Sequence, residues 1–217
     1  MKRLVMALML ACAVFMAPGI SSAYNGFYLT PKFLMTVQNT GTVERSGGLS
    51  GFGLDEYSQF TLGGALAGGY DFWPNYMIPF RAELEVALRG NSEAKETGIN
   101  GSSELTTNST TLLLNGYYDF HNSTAFTPYV GAGIGFAFNY LGVDIKHNGQ
   151  SDSADDRSTN FAWQVGAGVA YALTEDMSID AAYRYLDLGY TEVSSSGQSV
   201  GIRPYNHEVT LGLRFGF

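Results

Sequence analysis

From Phe27 onward the chain alternates apolar residues with polar or small ones, and the alternation returns in eight separate runs. A strand turns its side chains by half a revolution per residue, so each run presents one apolar and one polar or small face. The last run is the clearest. His207, Val209, Leu211, Leu213, Phe215 and Phe217 fall on one face, and Glu208, Thr210, Gly212, Arg214 and Gly216 on the other. The earlier runs are Phe27 to Val37, Phe60 to Phe72, Phe80 to Leu88, Thr110 to Phe120, Thr127 to Leu141, Phe161 to Ala172 and Met177 to Leu188.

The gaps between runs alternate in length. Those near Trp73 to Asn75, His121 to Ala125 and Thr174 to Asp176 are short, whereas Gln38 to Gln59, Arg89 to Ser109, Gly142 to Asn160 and Gly189 to Asn206 are long. Short turns at one end and long loops at the other are the mark of an outer-membrane barrel. The pattern predicts an all-β fold: an eight-stranded antiparallel up-and-down transmembrane β-barrel with short periplasmic turns and four long outer loops. The loops are rich in Gly, Ser, Thr, Asn and Asp, which suits solvent-exposed chain.

Energy decides which face meets lipid. A Lys or Arg at the bilayer midplane costs about 2–4 kcal/mol, and Lys32, Arg81, Arg184 and Arg214 all share the polar face. They are expected inside, opposite Glu83, Glu85, Asp180 and Glu208, as an interior ion-pair network. Eight strands enclose only enough space for side chains to fill, and inward glycines leave room for long Arg and Glu groups. A plugged interior is expected, not an open pore. A soluble ligand-carrying barrel would reverse the faces, but a glycine-rich face with few charges per strand is a poor solvent surface. Aromatics cluster at two levels, Tyr70, Phe72, Trp73, Tyr76, Phe120 and Phe126 below and Tyr140, Phe161, Trp163 and Tyr185 above, as membrane girdles do. Pro79 and Pro128 sit at strand starts. Pro31 lies inside the first run, where a bulge is expected.

Composition supports this reading. Mean hydropathy is −0.02, and beyond the N-terminus no stretch of about 18 apolar residues exists to cross as a helix. Lys2 and Arg3, the apolar run Leu4 to Ala17 and the small residues Ser21, Ser22 and Ala23 read as a cleaved signal peptide, residues 1–23, ahead of a barrel domain over 24–217. The one cysteine, Cys12, lies in that leader, so the mature barrel has no disulfide, thiolate nucleophile or cysteine-held metal. With 12 basic and 20 acidic residues, net −8, nothing favours nucleic acid as a partner.

The segments TPYVGAGIGFAFNY (127–140), FAWQVGAGVAYALTEDMSIDAAYRYLDLG (161–189) and HEVTLGLRFGF (207–217) resemble the opacity-type outer-membrane proteins, a group similar to the transmembrane domain of outer-membrane protein A. The resemblance implies the outer membrane of a Gram-negative cell. It also implies that Val209, Leu211, Leu213, Phe215 and Phe217 carry the signal read by the barrel-assembly machinery. Members serve as surface antigens, adhesins or structural barrels.

Catalytic chemistry is thinly represented. His121 falls in a turn, His147 in a long loop and His207 at the outer end of the last strand. His207, next to Glu208 and near Ser199, is the one place where a lipid-A-modifying site would be sought. No histidines stand at metal-ligand spacing. Asp144, Asp152, Asp155 and Asp156 crowd the third long loop without an EF-hand pattern. The expectation is therefore no cofactor and no catalytic residue. The partners expected are outer-membrane lipid and lipopolysaccharide, the assembly machinery, and a host or extracellular ligand reached through the loops, with the protein a monomer. A narrow channel for small solutes is the alternative.

Overall fold

Alternation with lipid on one side and a packed lumen on the other needs every strand edge paired, because unpaired backbone groups cost several kcal/mol in hydrocarbon. The computed structural model describes residues 25–39, 43–46, 58–90, 92–98, 101–147, 150–195 and 198–217, with side chains placed for 25–39, 58–90, 108–139, 157–190 and 203–217. The leader assigned to residues 1–23 lies outside them. In chain order the strands are β1 (Phe27–Asn39), β2 (Val43–Ser46), β3 (Ser58–Asp71), β4 (Phe80–Arg89), β5 (Ser92–Gly98), β6 (Gly101–Asp119), β7 (Phe126–His147), β8 (Gln150–Ala172), β9 (Met177–Asp187), β10 (Thr191–Ser195), β11 (Gln198–Ile202) and β12 (Tyr205–Gly216). Eight of them close a ring, β1–β3–β4–β6–β7–β8–β9–β12 and back to β1, with every neighbour antiparallel.

Outward positions carry the apolar residues. Phe60, Leu84, Leu114, Ile134, Phe161, Tyr183 and Leu211 are all exposed. Inward positions carry Arg81, Glu83, Glu85, Arg184 and Glu208, each at most 4 % exposed. The ring is thus inverted relative to a water-soluble barrel, which excludes the ligand-carrier arrangement.

The short-turn end is tightly bonded. A helical turn, α1 (Trp73–Tyr76), links β3 to β4 and ends on Met77 in the left-handed region. Asn122 ties the β6–β7 turn, donating to the Phe126 carbonyl at 2.8 Å and accepting from the Thr124 amide at 2.8 Å. Trp73 stacks on His121 at 3.9 Å, joining two of the turns. The seam is closed where Asn25 N donates to the Phe217 carbonyl at 2.7 Å and Phe217 N donates to the Phe27 carbonyl at 2.9 Å.

Two expectations are corrected. Pro31 makes no bulge. Leu29 pairs with Phe215 and Lys32 with Gly212, so the ladder to β12 lapses at Thr30 and Pro31 and resumes in the same register, while pairing with β3 runs through Pro31 opposite Leu66. The missing N–H costs one rung, and the pleat needs no extra residue. The long connections are also more than loop. β7 and β8 stay paired from Phe126↔Tyr171 out to His147↔Gln150, β5 continues on β6, and β10, β11 and β2 form a separate three-stranded sheet. Beyond Tyr140 the apolar positions of β7 change parity, from Phe136 and Phe138 to Leu141, Val143 and Ile145, and the facing stretch of β8, Ser151 to Ser158, is polar but for Ala154, so the run loses its phase while the backbone ladder continues.

Candidate functional site

The lumen is built in layers. Nearest the short turns, Arg81 on β4 holds Asp119 on β6 through Nε at 2.6 Å and Nη2 at 2.9 Å, and Arg214 on β12 pairs with Asp180 on β9, which also accepts from the Tyr129 hydroxyl. Tyr117 and Tyr129 flank the Arg81 guanidinium, each ring centre 4.9 Å from it, and Tyr28 lies under Arg214 at 5.3 Å. In the middle, Lys32 on β1 bridges Glu83 at 2.6 Å and Glu85 at 2.7 Å. Glu85 also accepts from Arg184 Nη1 at 2.6 Å, and Tyr117 donates to Glu83 at 3.2 Å. Towards the hairpins, Glu208 accepts from Arg184 Nε at 2.7 Å, Arg89 Nε at 2.5 Å and Nη2 at 3.1 Å, and Thr36 at 2.9 Å.

These contacts make a continuous chain, Arg89–Glu208–Arg184–Glu85–Lys32–Glu83, crossing the barrel between β4, β12, β9 and β1. Arg81–Asp119 and Arg214–Asp180 lie beneath it. Five charges of each sign take part, so every buried ion in these pairs is compensated. Removing one partner of such a pair typically costs about 3–5 kcal/mol. Above the chain sits an apolar layer of Leu113, Ala137, Ala162, Leu186 and Leu188. The gap left among Lys32, Tyr117, Tyr129, Gln164 and Arg184 is about 20 Å³, room for about one water.

All eight residues expected in the interior network lie in the lumen with an ion-pair partner. Two further members, Arg89 and Asp119, are absent from the sequence-based set. Arg89 keeps the parity of Arg81, Glu83 and Glu85 but sits at the edge of a long gap. Asp119 keeps the parity of Asn115 and Tyr117, yet no sequence rule says which base it meets. The inward glycines seat aromatic rings more than charged stems. A Cβ on Gly168 would lie 2.5 Å from Tyr129, one on Gly69 2.5 Å from Tyr28, and one on Gly131 would collide with Tyr117.

The histidines do not assemble a catalytic site among the described residues. His121 is stacked on Trp73 at the short-turn end. His207 faces outward, its Nδ1 2.6 Å from the Tyr183 hydroxyl, while Glu208, one residue on, faces the lumen. Adjacent strand residues point to opposite sides of the wall, so the sequence neighbours His207 and Glu208 cannot act together. The side chains of His147, Ser199, Tyr140, Asp144, Asp152, Asp155 and Asp156 lie outside the described set.

An outer-membrane β-barrel family profile, that of the outer membrane protein beta-barrel domain, matches residues 4–217. The chain belongs to this family. Outer membrane protein PagN of Salmonella typhimurium is 34 % identical over 197 residues, covering 81 % of this chain and 80 % of that protein. A candidate adhesin of Rickettsia typhi is 31 % identical over 156 residues, 63 % of this chain and 68 % of its own length. The crystal structure of Neisserial surface protein A superposes with a TM-score of 0.53 at 19 % identity, covering 90 % of this chain and all of that one. Family and barrel place the protein in the outer membrane. The short turns are then periplasmic and the long hairpins external. Val209, Leu211, Leu213 and Phe215 form the outward row of β12, and Phe217 follows it at the β1 seam.

Proposed function

We propose that this barrel is a non-enzymatic surface protein whose external hairpins bind host or other extracellular ligands, the membrane part serving as a rigid, closed mount. The observation that carries the reading is the division of labour along β7 and β8. Twenty-two and twenty-three residues long, each would extend about 70 Å, against an apolar band of about 25 Å. The lumen below is occupied by compensated ion pairs, so the ordered material is spent on height and rigidity. The candidate adhesin of Rickettsia typhi among the relatives points the same way.

The test is display on a non-adherent bacterial host. Removing residues 141–156 is expected to abolish attachment to mammalian cells while leaving the boiling-dependent gel shift of the folded barrel intact. Attachment unchanged both by that deletion and by comparable shortening of the β5–β6 hairpin would overturn the reading. Planar-bilayer recording tests the closed lumen, since steady large openings of the purified protein would make it a channel. A monomer suffices for both roles. The outward row of β12 ending at Phe217 is read as the signal for the assembly machinery, and 1–23 as its export leader.

A further inference from the structure

The seam between β1 and β12, where the ring closes, is built differently from the other ladders. Leu29 pairs with Phe215 and Lys32 with Gly212, and nothing is paired at Thr30 and Pro31. Every other described ladder of the ring runs without a lapse. Phe217 N donates to the Phe27 carbonyl, so the odd-numbered residues of β1 turn their backbone groups towards β12. Pro31 therefore withholds an N–H from this seam, and the Leu213 carbonyl opposite it lacks that donor. Proline in a sheet is ordinarily confined to edges and bulges. Here it stands in the wall of a closed barrel, where an unmet backbone group is costly.

Side chains do not repair the gap. In register Thr30 faces Arg214. Thr30 is 1 % exposed, yet its Oγ1 forms no hydrogen bond to the described protein, and neither does Arg214 Nε. Arg214 is drawn away to Asp180 on β9. Further up the same seam, Thr36 Oγ1 ties directly to Glu208 at 2.9 Å. Below the gap the seam is held by the Leu29–Phe215 pair and by the bonds that Asn25 and Phe27 make to Phe217. Each side also has a support that does not cross the seam. Gly216 N donates to the Asp176 carbonyl at 2.7 Å, fixing the end of β12 to the β9 side, and Asp71 N donates to the Gly26 carbonyl at 2.7 Å, fixing the start of β1 to β3.

The wall here has different surroundings on its two sides. Inside, a polar cavity of about 280 Å³ at the periplasmic mouth is lined by Arg214, Gly216, Asp176 and Ser178 among others. Outside, an apolar groove of about 460 Å³ runs along Phe27, Leu29, Gly68, Tyr70 and Phe217. The short stretch from Arg214 to Phe217 borders both. We propose that the periplasmic end of the β1–β12 seam is a lateral gate that parts between Leu29 and Phe215, with Pro31 setting how far it opens and the bonds at Phe217 serving as its latch. Opening joins the polar mouth to the groove that faces the periplasmic leaflet. It stops below Lys32, so the ion-pair chain that fills the lumen stays in place. The inference rests on the short-turn end being periplasmic and is independent of what the hairpins bind.

The test is amide hydrogen exchange of the full barrel in phospholipid nanodiscs, read residue by residue by NMR. On β1 the Tyr28 amide points to β3 and the Leu29 amide to β12, one residue apart along the strand. Fraying of the strand end would release both alike. The gate instead predicts that Leu29 and Phe215 exchange about tenfold faster than Tyr28 and its β3 partner Gly69. Pro31→Ala supplies the missing donor and should slow Leu29 and Phe215 while leaving Tyr28 unchanged. A disulfide between Leu29→Cys and Phe215→Cys should slow Phe217 in the same way. It decides the matter where Pro31→Ala fails the boiling-dependent gel shift that reports folding. Equal exchange on the two sides of β1 in the parent would overturn the proposal. So would faster exchange at Leu29 that neither change slows.

Discussion

Arg81 grips Asp119 with two parallel hydrogen bonds, Nε to Oδ2 at 2.6 Å and Nη2 to Oδ1 at 2.9 Å, across the periplasmic end of the lumen. The side chains are 2 % and 4 % exposed, so neither charge has water to fall back on. Asp119→Ala strands a buried guanidinium and is expected to destabilise the barrel by about 3–5 kcal/mol, read as a shift in urea midpoint in lipid vesicles. The double change Arg81→Met with Asp119→Leu should cost far less than the sum of the two single changes. Additive losses would show that the pair is not coupled.

The inward glycines make a sharper packing test. Gly131→Val drives a branched side chain into the Tyr117 ring, whereas a Cβ on the outward Gly68 meets only Leu29 Cδ1 at 3.9 Å. Overpacking predicts a loss of about 1–3 kcal/mol for the first and little for Gly68→Ala. Equal behaviour would place the two glycines on the same kind of surface.

Lipid contact is tested at Ile134, mid-strand on β7 and 56 % exposed. Ile134→Arg is expected to cost about 2–4 kcal/mol in vesicle refolding. The same change should be mild in detergent, where micelles deform around the charge. No difference between the two media would argue that this wall does not face a bilayer.

Phe217 separates assembly from stability. It closes the β1 seam with two backbone hydrogen bonds, to Asn25 and Phe27, which any residue can make. Phe217→Ala is therefore expected to lower outer-membrane yield in cells severalfold while leaving refolding from urea into detergent nearly unchanged. A comparable loss in both would make the aromatic ring a packing element and not a signal.

Much of this was legible without coordinates, for a physical reason. The period of two assigns each side chain to a wall, and the cost of charge in lipid names the wall, so the inward set from Lys32 to Arg214 and the outward row of β12 follow from local pattern. Glu208 and His207 were separable on the same ground. What periodicity cannot express is distance across a lumen. Asp119 finds Arg81, and Glu208 finds both Arg89 and Arg184, only because eight strands close with a particular stagger.

Tertiary structure likewise decided where pattern falls silent. Pro31 reads as a bulge until the unbroken register on both flanks shows one missing rung. The hairpins of β5–β6 and β7–β8 read as loop because their sequence is largely polar and the apolar positions of β7 change parity after Tyr140, while the backbone ladder continues. Asp187 and Arg203 sit sixteen residues apart and become one feature through the β9–β12 pairing. The sequence by itself determined the strand count, the two faces and the short-turn end, since these depend on local geometry and solvation. Which charges meet and how far the strands reach depend on closure of the ring, and only the folded chain decides them.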